Sequence, residues 1–121
     1  MSNYLQNLLL VLLLLASGDR LIYAGNMVYH VDIQTRVIDG NQVPFDQVKP
    51  GDTLILEQGS RDFLIFRNLI GDDDNQIIII NGKGEVIINT DHYFGISIRN
   101  CRYLRLTGSG DSSHFYGIAI Q

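Results

Sequence analysis

Apolar residues along this chain come in short alternating runs, cut every few residues by Gly, Asn, Asp or Pro. Met27 to Ile33 (MVYHVDI) puts Met27, Tyr29, Val31 and Ile33 on one face and Val28, His30 and Asp32 on the other. That is the pattern of a half-buried strand. Asp39-Gly40-Asn41 reads as a turn, and Val43 to Val48 as a short helical turn that plugs the end of a core. Lys49-Pro50-Gly51-Asp52 is a second turn, with Pro and Gly adjacent in the usual order. It leads into a strand at Thr53 to Glu57, stopped by Gly59. Further short strands are predicted at Phe63 to Phe66, Ile77 to Ile80, Val86 to Ile88 and Tyr103 to Leu106. Turns at Gly71 to Asn75, Asn81 to Gly84, Asn89 to His92, Asn100 to Arg102 and Gly108 to Gly110 separate them. No segment after Gly51 carries a helical apolar stripe of useful length.

The last part of the chain repeats itself. Phe94-Gly95-Ile96-Ser97-Ile98 returns as Tyr116-Gly117-Ile118-Ala119-Ile120, with Gly95 recurring as Gly117. A fixed period carried by short strands marks a stack of structural repeats. The separations are too short for helical crossovers and do not suit a run of two-residue hairpins. A parallel coil meets the constraint, each turn of the chain adding one rung to three stacked parallel sheets. On this reading Ile96, Ile98, Leu104 and Leu106 point inward, and Ser97, Arg99, Tyr103 and Arg105 point outward. Ile118 and Ile120 are expected to stack on Ile96 and Ile98. Asn81, Asn89 and Asn100 each follow a strand, where Asn can adopt an unusual φ and bond the neighbouring backbone.

Upstream, Leu8 to Ala16 (LLLVLLLLA) is apolar all round and lacks an amphipathic stripe. Spanning a bilayer takes about 20 such residues, so this short run fits the core of a secretory signal peptide better. Cleavage is expected after Gly18 or after Ala24; no Lys or Arg precedes the apolar run, which departs from the usual pattern. The competing reading is a buried hydrophobic helix. The chain thus divides into a signal peptide (1–24), an N-terminal cap with the entry strand (25–62), and rungs (63–121).

Composition narrows the chemistry. The 121 residues suffice for one small domain, and a hydrophobic content of 45% argues against disorder. A net charge of −4 and the lack of a basic cluster argue against a nucleic-acid partner. Arg99, Arg102 and Arg105 lie close together but are flanked by Asp91 and Asp111, and read as a solvated face. Cys101 is the single cysteine, so no internal disulfide exists, and it reads as a small residue at a buried turn. Asp72-Asp73-Asp74-Asn75 is the most acidic loop. It is a weak candidate for Ca²⁺, whose six to eight oxygen ligands adjacent carboxylates can supply in part, against the plainer reading of a solvated turn. No other cofactor is indicated.

At this point the residues resemble a family. Tyr29-His30-Val31-Asp32, then Pro44-Phe45, then Lys49-Pro50-Gly51-Asp52-Thr53-Leu54-Ile55-Leu56 with Gly59, is similar to the N-terminal portion of secreted bacterial right-handed parallel β-helix proteins of the pectate-lyase-like group. The two aromatic-Gly-Ile segments resemble its rungs. The likeness spans roughly residues 27–121, although the turn at Asp39 is shorter than the loop often seen there. It implies an all-β solenoid related to polysaccharide lyases and glycoside hydrolases, or a non-catalytic surface, adhesion or glycan-binding solenoid; fold alone does not decide between them.

For β-elimination on a uronate, a base must sit near a group that neutralises the carboxylate. His92, Tyr93, Arg99 and His114 are the weak candidates for binding or catalysis. Asp91 and Asp111 are the pair to examine for glycoside hydrolysis. A polysaccharide partner is expected, with no membrane span after signal removal and a secreted, periplasmic or cell-surface location. The sequence stops inside a rung, so a further C-terminal segment or another chain is expected to cover the open edge. The piece by itself is then inactive, and the reading frame beyond Gln121 tests that expectation.

Overall fold

A computed structural model describes residues 27–121. The expected signal peptide (1–24) lies outside the described residues. These form ten short strands and one 3-10 turn: β1 (Val28–Val31), β2 (Val37–Asp39), the 3-10 turn (Phe45–Gln47), β3 (Thr53–Leu56), β4 (Gly59–Arg61), β5 (Leu64–Arg67), β6 (Ile77–Asn81), β7 (Val86–Ile88), β8 (Ile96–Arg99), β9 (Leu104–Thr107) and β10 (Ile118–Ile120). Every pairing between them is parallel.

Three sheets result. Sheet I runs β1-β3-β6-β9, sheet II β4-β7-β10 and sheet III β2-β5-β8. From β3 onward the chain visits them in the fixed order I, II, III. The first circuit passes from β1 to β2 directly, without a strand in sheet II. No strand pairs with its neighbour in sequence. Thr53 pairs with Ile78 and Val86 with Ile118, in each case one full circuit further along.

Register determines the core. Alternate residues face inward, and each sits above the inward residue of the previous circuit. Leu54 stacks with Ile79, Phe66 with Ile38 and Leu64 with Ile96. Val31, Ile38, Leu54, Leu56, Leu64, Phe66, Ile77, Ile79, Val86 and Ile88 are completely buried. Each such aliphatic side chain contributes about 1.5–3 kcal/mol. The run Ile77 to Ile80 divides as strand geometry requires: Ile77 and Ile79 are buried, while Ile78 and Ile80 are half-buried on the outer face.

One end of the stack is closed. Phe45, on the 3-10 turn expected from Val43 to Val48, is buried against the core. Asp52 of the Pro-Gly turn is 1% exposed and accepts the amides of Met27 and Lys49 at 2.9 and 2.8 Å. Arg61, also 1% exposed, sits on β4, the first strand of sheet II. Its guanidinium donates to the carbonyl oxygens of Glu57, Val31 and Asp32 at 2.6, 3.1 and 3.1 Å. Gly59 to Arg61 reads in the sequence only as a stop, because its inward position is filled by arginine instead of an aliphatic residue. The strand β2 has no mark of its own in the sequence either, being hidden beside the Asp39 turn.

A polar ladder runs along the edge of sheet III. Asn68 Nδ2 donates to Asp39 Oδ1 at 2.9 Å, and Asn100 Nδ2 donates to Asn68 Oδ1 at 2.8 Å. Asn68 and Asn100 have φ of 57° and 48°, the left-handed region that Asn tolerates. Of the three asparagines singled out in the sequence, only Asn100 adopts it. Asn81 instead faces inward at the end of β6, donating to Gly82 O and Gly84 O and accepting the Gly110 amide.

The sequence repeat is not the structural repeat. Ile118 and Ile120 stack on Val86 and Ile88 in sheet II, and not on Ile96 and Ile98, which lie over Leu64 and Phe66 in sheet III. The step from Gly95 to Gly117 covers two of the three strands in a circuit. The shared pattern marks a common local need, an aromatic and a glycine leading into a strand. A Cβ on Gly117 would come within 2.2 Å of Gly108 O and 2.4 Å of Asn81 Nδ2, and one on Gly95 within 2.7 Å of Ile120 Cγ2. Both positions need glycine for close approach, but to different partners.

At the other end, Ile98, Leu106 and Ile120 sit over Phe66, Ile79 and Ile88. They keep the inward column, yet are 52%, 38% and 57% exposed, because no described strand lies above them. The expectation that Ile98 and Leu106 are interior holds for direction and fails for burial.

Phe66→Ala is expected to lower stability by about 3–5 kcal/mol through the cavity it leaves. Arg61→Met keeps the stem and removes the guanidinium from three carbonyls. Val31 O keeps the Glu57 amide and Asp32 O the Thr35 amide, so the cost falls on Glu57 O, at roughly 1–3 kcal/mol for a buried group left unsatisfied. Urea unfolding followed by circular dichroism measures both. A loss under about 1 kcal/mol for Arg61→Met would show that water replaces the guanidinium there.

Candidate functional site

Two groups of side chains stand out on the outer surface. The first lies outside sheet III. Along the column Asp39, Arg67, Arg99, set by the register of β2, β5 and β8, Arg67 Nε pairs with Asp39 Oδ2 at 2.8 Å. Arg36 pairs with Asp62 nearby. Arg99 forms no ion pair among the described residues. Its Nε donates to Ser97 Oγ at 3.0 Å, and its guanidinium carbon stands 5.9 Å from the centroid of the Phe94 ring, a cation–π contact.

Phe94 belongs to a small aromatic shelf. Its ring stacks on His92 at 6.3 Å and 28°, and Phe63 meets His92 edge-on at 4.8 Å and Phe94 at 6.0 Å. Thr90 shapes the loop, its hydroxyl accepting the His92 amide and donating to Phe94 O, both at 3.0 Å. Tyr93, between them, is fully exposed. The structure therefore brings His92 and Arg99 together through the Phe94 ring that both contact, while Tyr93 projects from the same loop.

The second group lies in the loop between β9 and β10. Asp111 accepts from the Ser113 hydroxyl at 2.6 Å, the Gly84 amide at 2.7 Å, the Ser113 amide at 2.9 Å and His114 Nδ1 at 3.1 Å. These donors, the Ser113 hydroxyl foremost, hold its carboxyl well below the usual carboxylate range. With the Ser113 hydroxyl donating to Asp111, the contact to the carboxylate favours the neutral tautomer of His114 that carries its proton on Nδ1. In that tautomer Nε2 is an acceptor, on a side chain 41% exposed. Ser113 thereby braces Asp111. Phe115 and Tyr116 follow, 91% and 70% exposed and edge-to-face at 4.7 Å and 89°. They border a cleft of about 480 Å³.

The remaining candidates stay apart. Asp72 spends Oδ1 on the amides of Asp74 and Asn75 within its own loop, and Asp73 and Asp74 are exposed. No group of three His, Cys, Asp or Glu among the described residues is placed to hold a metal ion. Asp91 lies between sheets II and III and Asp111 between sheets I and II, and Asp111 bonds Gly84, its neighbour one circuit back. Cys101 is half-buried with Sγ against Arg99 O at 3.2 Å. Phe63, Phe94, Phe115 and Tyr116 are site residues that the sequence reading does not select; an aromatic beside a turn is the signal that marks them.

No protein-family description, curated protein or solved structure matches this chain.

Asp32, Asp39, Asp62 and Asp111 all have carboxyls held below their ordinary range, chiefly by hydrogen bonds they accept, with Arg67 and Arg36 adding to two of them. A depressed pKa in the folded state stabilises it above the unfolded value, near pH 4, and that stability is lost as pH falls through the folded value. The melting temperature is therefore expected to hold from neutrality down to about pH 4 and to drop below it. Asp111→Asn should cost most at neutral pH, with the gap to the parent closing on acidification. A gap that is constant with pH would remove Asp111 from this account.

Proposed function

We propose that this chain is an exported, right-handed parallel β-helix that binds acidic polysaccharide along the outside of sheet III. The fixed circuit of three parallel sheets supports the architecture, and a strand joined by a crossover to a parallel strand is right-handed in about 98% of cases. The observation that carries the ligand is Arg99. It is a cation with no carboxylate partner among the described residues, resting on an aromatic shelf. A guanidinium beside a half-buried ring suits a sugar acid: the carboxylate takes the forked donors, and the apolar face of the sugar lies on the part of the ring left open. The in-register column places successive outward side chains about 4.8 Å apart, giving a track along which a polymer can lie.

Turnover is the second reading, favoured by His92 and Arg99 meeting at Phe94, a base and a cation on one ring. In that reading Arg99 neutralises the uronate carboxylate and His92 takes the proton α to it. The glycosidic C–O bond at the β carbon breaks as the C=C bond forms, and the departing sugar oxygen takes a proton from water.

Titration with hexagalacturonate should show saturable binding that weakens at least tenfold in Arg99→Ala and in Phe94→Ala, and less in Arg99→Lys. Binding that Arg99→Ala leaves intact would sink the assignment. Rising absorbance of unsaturated uronate during the titration would convert the reading to a lyase. Export is tested separately: the protein recovered outside the cytoplasm should begin at Asp19 or Gly25, and retention of Met1 refutes it.

A further inference from the structure

We propose that the cleft between β9 and β10 is a second ligand site, and that it takes an uncharged saccharide unit. Its walls are the exposed rings of Phe115 and Tyr116, the hydroxyls of Thr107, Ser109 and Ser112, and the imidazole of His114. About 480 Å³ falls in the range of small-molecule sites, roughly 300–1,000 Å³. The two rings meet at 89°, so a ligand ring stacked on one face touches the edge of the other.

The polar lining decides the class. No Lys or Arg borders the cleft, and its one carboxylate, Asp111, remains ionised because four donors point at it. An anionic ligand meets that charge with no cation to answer it. A wholly apolar ligand would strip water from His114 Nε2 and the serine hydroxyls without replacing its hydrogen bonds. A neutral sugar satisfies both walls. Its C–H face covers an aromatic ring, and a hydroxyl donates to Nε2, which the Asp111 contact to Nδ1 holds as an acceptor.

The loop is also fixed beforehand. Asn81 Oδ1 accepts the Gly110 amide at 2.9 Å, and Asp111 accepts the Gly84 amide at 2.7 Å, tying the loop at two points to the turn one circuit back. Binding there does not have to order a free segment, which lowers its cost. The site is separate from the aromatic shelf at Phe94, so either assignment can fail while the other stands.

The test uses the full chain, labelled with ¹⁵N, and three neutral probes: cellohexaose, mannohexaose and galactohexaose. At least one is expected to shift the amide signals of Gly108 to Gly117 saturably. Tyr116→Ala and Phe115→Ala, both at exposed positions that leave the core intact, should weaken that binding tenfold or more. His114→Ala should weaken it as well, with His114→Gln restoring part through its amide oxygen. The proposal is overturned if none of the three probes shifts these amides, if the shifts fall at Thr90 to Arg99 instead, or if Tyr116→Ala and Phe115→Ala bind as the parent does.

Discussion

Every described strand takes its hydrogen-bond partners from one circuit away and none from its neighbour in sequence. The rest of the structure depends on that. A strand of three or four residues cannot hold itself, so it persists only where the strand beneath offers an edge in register. Register then determines which side chains meet, and most columns continue in kind, aliphatic over aliphatic or polar over polar. Leu56 over Asn81 and Arg61 over Ile88 are exceptions, their polar members bonded to backbone. The columns through Leu54 and Phe66 keep the first rule, and the ladder of Asp39, Asn68 and Asn100 keeps the second.

The two ends of the stack solve different problems. Near β1 the columns are closed by Phe45 and by a buried arginine. Arg61 is costly to bury, and burial pushes its pKa down; three backbone carbonyls answer its two terminal nitrogens, while Nε is buried without a hydrogen-bond partner among the described residues. At β8, β9 and β10 the aliphatic columns remain uncovered at Ile98, Leu106 and Ile120. The candidate binding groups lie on the outer face, where strand ends and corners place rings and charges on a rigid backbone. Their geometry is inherited from the stacking, since Arg99 owes its place above Arg67 to the pairing of β8 with β5.

Several parts of this arrangement can be read directly from residues. Alternation in Met27 to Ile33 and in Thr53 to Leu56 marks strands, Gly and Asn mark the turns, and spacings too short for helical crossovers point to a parallel coil. Phe45 as a plug follows from an aromatic inside a short helical turn. Gly59 to Arg61 is illegible for a physical reason: hydrophobic patterning cannot mark a strand whose inward residue is an arginine bonded to backbone. The matching segments at Gly95 and Gly117 mislead, because similar local sequence reports a similar local conformation, while stacking depends on path length around the circuit.

The same division holds for the sites. Composition and spacing nominate His92, Arg99 and His114 as outward polar residues near strand ends. They carry no information about which aromatic each meets, because Phe63 and Phe94 are distant along the chain and become neighbours only when β5 and β8 pair. Likewise Asp111 and Gly84 join only because one circuit returns the chain to the same corner. Alternation along the backbone is a local property, so the sequence by itself determined most of the strands, the turns and the side each residue faces. Which residues meet across circuits depends on loop lengths and register together, and that only the tertiary structure decided.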